Sequence, residues 1–294
     1  MKKSTKRSPK LSIIVLSYNT RDLLDSCLTS LKKVRDELKF EVIVVDNASI
    51  DKSASLVKEN YPWVHLIESK ENLGFSKGNN LTRGVTRGKY ILFLNSDTEV
   101  YKNTLKQCVE YYDKNPNIGA LTCKLVLPNG TFDKDTIRSF PTPWVALTHF
   151  SGLDRIFPHS KIFSRYWYGF LDKDKIQKVE AIQGAFFMST KKLLDRVGWF
   201  DPDYFLDGED IDLSWKTSRN SIGNMYFPKV TILHIKKASK KGKRSLSSIM
   251  AGVNSMELFY RKNLWDMYPY MISLPVILGI KALKVLRYLK YIIQ

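Results

Sequence analysis

Acidic and amide side chains occur directly after apolar runs in the first hundred residues of this sequence. Asp46 ends one such run, and Asn95, Ser96 and Asp97 end another. A second acidic cluster, at residues 207–212, comes much later in the chain. Oxygen ligands of this kind bind hard divalent cations, and a carboxylate can take a proton from a hydroxyl group. These residues are therefore the first candidates for chemistry.

Four short apolar runs must position the first of these side chains, and they cover residues 11–17, 41–46, 64–68 and 90–95. They are continuous rather than alternating, which predicts strands that are covered on both faces. Stretches with helical spacing separate them, and this order predicts a parallel α/β sheet. In such sheets a ligand binds beyond the carboxyl ends of the strands.

Polar residues follow each predicted strand at the point where it ends. Ser17, Tyr18 and Asn19 come after the first run, Asp46 ends the second, and the loop at residues 72–75 follows the third. The sequence therefore predicts a binding crevice along one edge of the sheet. Further along, residues 179–182 and 230–235 have the composition of strands, and the second of these contains His234.

Eight segments, taken together and in order, resemble glycosyltransferase family 2, and within it the rhamnosyltransferase-like branch. The resemblance covers residues 10–262. Its segments are IVLSYN at 14–19, VVDNASID at 44–51, NLGFSKGNN at 72–80, LNSD at 94–97, GAFFM at 184–188, VGWFD at 197–201, EDIDL at 209–213, and the histidine at 234. It implies a GT-A fold, which is a Rossmann-like mixed sheet flanked by helices. It also implies an inverting transfer of a sugar from a nucleotide diphosphate donor.

The resemblance implies that one set of residues binds the nucleotide sugar. In the family, the aspartate at the position of Asp46 contacts the nucleotide base, and the loop at 72–75 closes over the nucleotide. The other interpretations are a cap for the helix near Asp51 and an ordinary helix start with a flexible glycine. The full set is Ser17, Tyr18, Asn19, Asp46, Asn72, Gly74, Phe75, Asn79, Asn95 and Ser96.

The resemblance also implies a metal site, which is formed by Asp97, His234 and Asn95. The family has Asp-x-Asp where this chain has Asn95-Ser96-Asp97, so Asp97 must be the chief carboxylate. Oxygen ligands with an imidazole suit Mg²⁺ or Mn²⁺ as the cofactor. The plainer interpretations are a turn for the triplet and a structural role for the histidine.

The expected catalytic residues are Asp210, which the resemblance implies is the general base, and Glu209, which helps to hold the acceptor. An amphipathic segment follows the pair, so the base should lie at a helix N-terminus, where its pKa is lowered and it stays ionised. The other interpretation is that these acidic residues only mark the first turn of a helix, where such residues are common. Asp212 is the weaker candidate for the base.

Composition limits the alternatives. The 294 residues are 44% hydrophobic and carry a net charge of +18, and the scattered residues Cys27, Cys108 and Cys123 predict buried free thiols. No Gly-x-Gly-x-x-Gly follows the first run, which argues against a dehydrogenase. The alternative function is that of a non-enzymatic basic protein that binds nucleic acid or membranes. Carboxylates gathered at strand ends argue against nucleic acid as a partner, because they repel phosphate.

The sequence predicts a basic tail at residues 1–9, a catalytic domain at 10–245 and a helical, membrane-associating region at 246–294. The domain divides into a nucleotide-binding half, 10–100, and an acceptor and catalytic half, 101–245. From Lys281 onward a helical wheel separates apolar residues from Lys281, Lys284, Arg287 and Lys290. This pattern favours peripheral attachment of a cytoplasmic protein to the anionic cytoplasmic face of the membrane, helped by the basic run at 236–244. The other interpretations are a tail packed on the domain and a homodimer contact.

The expected donor is dTDP-rhamnose, which the rhamnosyltransferase-like pattern favours over other nucleotide sugars. The expected acceptor is a glycan or a polyprenyl-linked glycan in cell-surface polysaccharide synthesis. Aromatic residues are dense at 140–170, and aromatic faces stack on sugar rings, so this stretch is the candidate acceptor wall. Ordinary core packing is its other interpretation.

Overall fold

The computed structural model describes residues 8–236 and 246–293, and most of the two predicted basic segments, 1–9 and 236–244, lies outside the described residues. The strands within the described residues are β1 Leu11–Ser17, β2 Phe40–Asp46, β3 His65–Glu68, β4 Tyr90–Asn95, β5 Thr98–Val100, β6 Ala120–Val126, β7 Ile137–Arg138, β8 Gln177–Val179, β9 Ala181–Ile182, β10 Phe186–Thr190 and β11 Asn224–His234. The α-helices are α1 Arg21–Lys33, α2 Ser53–Asn60, α3 Gly74–Asn80, α4 Thr104–Lys114, α5 Pro143–Phe150, α6 Leu153–Ile156, α7 Lys191–Val197, α8 Glu209–Arg219, α9 Leu246–Phe259 and α10 Tyr270–Ile293.

A mixed sheet forms the centre of the molecule, with the strand order β3-β2-β1-β4-β10-β6-β11-β5 and with β8 paired to β11. The four strands from β3 to β4 are parallel, as the apolar runs predict. Strand β10 then joins antiparallel to β4. Ser17 lies beside Asp46, and Leu16 lies beside Asn95, so the carboxyl ends of β1, β2 and β4 meet at one edge.

Both faces of the sheet are covered, which explains why its first strands read as continuous apolar runs. Helix α1 buries Leu24, Cys27, Leu28 and Leu31 against one face. On the other face, Phe93 contacts Trp199 and Phe200 edge to face. The three cysteines are free and buried, which confirms the prediction for them.

Two strands differ from their predicted extents. Residues 179–182 were expected to form one strand, but β8 pairs with β11 while β9 pairs with β7. The last strand begins at Asn224, six residues earlier than 230, and its register shifts between Phe227 and Thr231. Pro228 lies inside this shift, and it has no N–H to donate to the ladder, so the apolar pattern is interrupted there.

The C-terminal helix packs back along α9. Tyr260 Oη lies 2.9 Å from Ser273 Oγ, Lys284 Nζ donates to Glu257 at 2.6 Å, and Arg287 donates to the carbonyl of Ile249 at 3.1 Å. Two of the four basic residues of the predicted polar face therefore contact α9 rather than forming a free basic surface. The exposed surface of the second half carries the apolar residues Val285, Leu286, Leu289 and Ile292 beside Lys281 and Lys290.

The first half of α10 is part of a buried cluster. Ile277 and Ile280 pack there with residues of several other segments, which include Phe140, Ile211, Phe259 and Leu264. One helix runs through Pro275. The apolar residues 270–280 and the amphipathic run from Lys281 therefore belong to a single element. Among the described residues, no helix is long and apolar enough to cross a membrane.

Candidate active site

Three hydroxyl groups connect the ends of β1 and β4. Ser17 Oγ lies 2.9 Å from Thr20 Oγ1, which in turn lies 2.9 Å from Ser96 Oγ. Asn19 joins the neighbouring loop, because its Oδ1 accepts from the backbone N–H of Ile50 at 2.9 Å. Tyr18 between them is exposed. The structure thus brings the predicted strand-end residues into one hydrogen-bonded edge with Tyr18 facing solvent.

Asp46 lies at this edge with one hydrogen-bonded carboxylate oxygen and one without a hydrogen bond. Its Oδ1 accepts from the N–H of Ser49 at 2.9 Å, whereas Oδ2 is buried and makes no hydrogen bond. The helix that follows has a different partner, since Asp51 accepts from the N–H of Ser53 at its start. A buried carboxylate oxygen without a donor is costly, so this atom is suited to accept from a ligand.

The loop at residues 72–75 is held by Asn47, which the sequence argument did not select. Asn47 donates to Asn72 Oδ1 at 2.9 Å and accepts from the N–H of Leu73 at 2.9 Å. Gly74 has φ of +75°, and a Cβ there would lie 2.4 Å from the carbonyl oxygen of Phe205. A glycine is therefore required by both backbone angle and space.

Phe75 and Asn79 hold this loop against the rest of the protein. The N–H of Phe75 donates to the carbonyl of Phe205 at 2.7 Å, and its ring contacts Phe200 edge to face. Asn79 is buried and donates to the carbonyl of Phe75 at 2.9 Å. Their side chains thus fix the loop from the protein side.

Asp97 and His234 lie side by side, as the metal prediction requires. Their Oδ1 and Nε2 atoms are 3.4 Å apart. The pairing of β5 with β11 produces this proximity, because it sets His234 opposite Thr98 and lets Ile235 donate to the carbonyl of Asp97. Asn95 uses its backbone carbonyl to accept from Thr98 Oγ1 at 2.7 Å.

A second aspartate, Asp133, holds the imidazole from behind. Its Oδ2 lies 2.7 Å from His234 Nδ1, and its Oδ1 accepts from Lys236 at 2.5 Å. Burial opposes the charged form of His234, but Asp133 and Asp97 outweigh it and raise its pKa to about 9. An N–H of Nδ1 directed to Asp133 leaves Nε2 to face Asp97.

The described part of the chain contains no group of three or more His, Cys, Asp or Glu side chains that could hold a metal ion. Asp97 and His234 are thus two donors, and any metal held there needs further ligands from elsewhere. Their separation of 3.4 Å is close to the distance of about 3 Å between neighbouring ligands of an octahedral Mg²⁺. This pair fits a divalent cation that is completed by other oxygens.

Helix α8 begins at Glu209, so Asp210 lies in its first turn as predicted. Asp210 Oδ2 accepts from Arg138 at 2.5 Å and from the N–H of Gly184 at 3.2 Å. Arg138, like Asn47 and Asp133, was not among the residues selected from the sequence. It lies in the two-residue strand β7, which is too short for any periodicity to mark it.

Asp210 lies beside the strand-end edge because of Gly184. A Cβ at Gly184 would lie 3.5 Å from the ring of Phe75 and 3.6 Å from Asp210 Cβ. The carbonyl of the next residue, Ala185, accepts from the N–H of Asn95 at 3.2 Å. Asp210 and the carboxyl ends of the strands are therefore neighbours in the fold.

The two neighbours of Asp210 in this acidic cluster behave differently. Asp212 accepts from Asn263 at 3.0 Å and pairs with Lys216 at 2.7 Å, so it is tied to its own surroundings. Glu209 is buried, and its Oε2 makes no hydrogen bond. Burial, together with the charge of Asp210, raises the pKa of Glu209 well above its ordinary value.

The aromatic stretch at 140–170 is divided between two roles. Phe140 packs on Trp215 and Phe259 in the buried cluster, and Tyr168 is also buried. Trp144 and Phe150 instead line an apolar groove against α10. Some aromatic residues of this stretch are therefore core residues, and others line the groove.

Comparison with known proteins gives a consistent picture. The family model described as glycosyl transferase family 2 matches residues 12–198. The O-antigen biosynthesis protein RfbC of Myxococcus xanthus is 23% identical over 246 residues, and the match covers 80% of this chain but only 18% of that protein. The N-acetylglucosaminyl-diphospho-decaprenol L-rhamnosyltransferase of Mycobacterium tuberculosis is 24% identical over 260 residues, which cover 85% of this chain and 83% of that protein.

Solved structures have the same fold. The crystal structure of GalNAc-T7 with UDP, GalNAc and Mn²⁺ superposes with a TM-score of 0.61 and 14% sequence identity. The superposition covers 87% of this chain and 49% of that chain. This likeness confirms the GT-A architecture expected from the sequence.

Proposed function

The chain belongs to glycosyl transferase family 2, and from this membership we propose that it is an inverting, metal-dependent enzyme. Glycosyl transfer with a nucleotide-sugar donor is the activity of the family. The alternative of a non-enzymatic basic protein is not favoured. The observation that carries the proposal is the contact through Gly184, which places Asp210 beside the edge of the sheet that holds Asp46 and Asp97.

Each end of the crevice has a distinct task in this proposal. The free Oδ2 of Asp46 accepts from the nucleotide base, and the loop at 72–75 covers the nucleotide. Asp97 and His234 would hold Mg²⁺ or Mn²⁺ together with the diphosphate oxygens, and Asn95 is the third residue proposed to face the metal. A cation held there neutralises the charge of the leaving diphosphate.

Asp210 is proposed to remove the proton from the acceptor hydroxyl. Arg138 and the N–H of Gly184 orient its carboxylate, and Glu209 beside it helps to hold the acceptor. One base and one direct displacement give inversion at the anomeric carbon. The product's anomeric configuration, read by NMR, tests this, and a product that retains the donor configuration would overturn it.

The proposed donor is dTDP-rhamnose, and the proposed acceptor is a polyprenyl-linked glycan in cell-surface polysaccharide synthesis. The relative named as an L-rhamnosyltransferase, which is matched over most of its length, supports both assignments. A panel of nucleotide sugars with mass-spectrometric detection tests the donor. Preferential turnover of a UDP-hexose would replace rhamnose while leaving the transferase activity intact.

We also propose that the protein works at the cytoplasmic face of the membrane. A lipid-linked acceptor is held at a bilayer surface, and the outward residues Leu286 and Leu289 of α10 are apolar and exposed. Apolar side chains on such a helix bury at the boundary between headgroups and acyl chains. Sedimentation with vesicles tests this attachment, and a homodimer through the same face is the competing outcome.

A further inference from the structure

An apolar groove lies between α5 and α10. It has a cavity volume of about 670 Å³, and its walls include Pro141, Trp144, Leu147, Tyr260 and Gly279. No Asp, Glu, Lys or Arg lines it. The volume is in the range of small-molecule sites, and a wall without charge selects an apolar ligand.

The groove begins close to the proposed catalytic carboxylate. Pro141 lines it, and Arg138, the partner of Asp210, is three residues earlier. Three residues span at most about 11 Å, so one end of the groove lies within that distance of the Arg138 backbone. A ligand seated in the groove therefore has one end near the proposed base.

Helix α9 provides a second connection between groove and catalytic helix. Met256 lines the groove, and its neighbour Ser255 lies against Gly208, where a Cβ would come within 2.8 Å of Ser255 Cβ. Gly208 directly precedes Glu209, the first residue of α8. The groove wall and the catalytic helix terminus are thus in van der Waals contact.

At the catalytic end of the groove, the buried side chain of Arg138 keeps a donor without a partner. Arg138 gives one donor to Asp210, while its buried Nε makes no hydrogen bond. This Nε–H is therefore available to an oxygen of the ligand's head. At the other side, α10 continues from the groove into the outward apolar residues Leu286 and Leu289.

We propose that this groove binds the polyprenyl chain of a lipid-linked acceptor, with its phosphate end directed to Arg138. The inference rests on the proposed function, since it names the lipid part of that acceptor. The proposed occupant is an isoprenoid chain. A bilayer acyl chain and a second copy of the protein are the competing occupants.

The test measures binding of geranyl, farnesyl and geranylgeranyl phosphates to the full chain by calorimetry, below their micelle concentrations. If the chain enters the groove, the affinity should rise at least about fivefold for each added isoprene unit, because each unit buries more apolar surface. Equal affinity for all three lengths would overturn the proposal. So would equal binding of a linear alkyl phosphate with the same carbon number, or a shift to dimers that abolishes binding.

A matched pair of variants locates the binding. Gly279 lines the groove, and a Cβ there meets no atom within 4 Å, so Gly279→Phe can direct its ring into the groove. Leu278→Phe adds a ring at the preceding position of α10, which is exposed and does not line the groove. Gly279→Phe should weaken geranylgeranyl phosphate at least about tenfold, and Leu278→Phe should not change it.

A second groove variant guards against misfolding of the first. Leu147 is exposed at the groove wall, so Leu147→Glu places a carboxylate there at a position that the core does not need. It should weaken the same ligand while thermal unfolding stays at the wild-type temperature. Donor turnover by the wild-type protein is measured separately. Binding that depends on chain length, without any sugar transfer, would overturn the proposed function and keep the lipid site. Sugar transfer without such binding would overturn the lipid site and keep the proposed function.

Discussion

The guanidinium of Arg138 and the carboxylate of Asp210 meet at the start of α8, with 2.5 Å between Nη2 and Oδ2. Both side chains are nearly buried, at 13% and 10% exposure. A buried ion pair of this kind contributes less to stability than its geometry suggests, but removing one partner leaves an uncompensated charge. Arg138 is therefore expected to position the proposed base.

The variant Arg138→Met should lower the free energy of unfolding by about 3 kcal/mol, because it leaves Asp210 without its partner. Turnover should fall as well, while the KM for the donor changes little. Arg138→Lys should restore part of the turnover, since it keeps the charge. The double variant Arg138→Met with Asp210→Asn should be more stable than Arg138→Met alone, as denaturant titration would report. Additive losses would contradict an orienting ion pair.

Asp210 and Asp212 should separate into catalytic and structural roles. Asp210→Asn should leave donor binding nearly intact and lower turnover about a hundredfold or more, as loss of a general base does. Asp212→Asn should instead lower the unfolding temperature, because Asp212 contacts Asn263 and Lys216. Steady-state kinetics and thermal unfolding on both variants separate the two. A larger turnover loss in Asp212→Asn would move the base by two residues.

Asp97 should matter for the donor only when a metal is present. Asp97→Ala should abolish transfer and weaken donor binding in Mn²⁺, while binding without metal stays at the wild-type value. The reason is that Asp97 and His234 are the two donors that the structure brings within 3.4 Å. Calorimetric titration of donor with and without Mn²⁺ measures the difference. Wild-type activity in the variant would exclude the metal role.

Much of this crevice follows from the sequence, because strand ends are marked by local signals. Apolar runs end at Asp46 and at Asn95, and the structure keeps those ends. The proximity of Asp97 to His234 was also expected, although only from the family resemblance. The fold and the family are confirmed, whereas the residue roles stay predictions.

The missed residues have long-range partners and no local pattern. Asp133 is 101 residues from His234, and Arg138 is 72 residues from Asp210. Both lie in a segment with few regular elements, where neither helical nor strand periodicity restricts their position. A buried polar partner of this kind becomes visible only when the chain is folded.

Glu209 should make the stability depend on pH. Its pKa is raised in the folded state, so the folded protein holds this proton more tightly than the unfolded chain does. The group therefore lowers stability progressively as the pH rises from the ordinary glutamate pKa of about 4.3 toward the folded value. Glu209→Gln removes this cost and should raise the unfolding temperature at pH 8 by at least about 2 °C. The gain should shrink at pH 5, and an equal gain at both values would contradict the shift.

The two halves of α10 should respond differently to change. Ile277 and Ile280 belong to the buried cluster with Phe140 and Leu264, so removing everything after Tyr260 should expose that cluster and destabilise the fold. This outcome differs from what an independent membrane-binding tail would give, because such a tail could be cut off without loss of stability. Thermal unfolding of the truncated chain checks it.

The outward face of the second half can be changed without disturbing the core. Leu286→Ser with Leu289→Ser alters two exposed side chains, so the unfolding temperature should stay within a degree or two of wild type. Vesicle flotation should fall at least about tenfold for both anionic and neutral lipid, because two apolar anchors are lost. The wild-type protein should float more strongly with anionic vesicles and less strongly as salt is added. Lys281→Gln with Lys290→Gln serves as the matched control, since it removes charge from the same half of α10 and should reduce only the salt-dependent part. Unchanged flotation of the serine variant would contradict membrane binding through this face. Loss of an oligomer in that variant would assign the face to a protein contact.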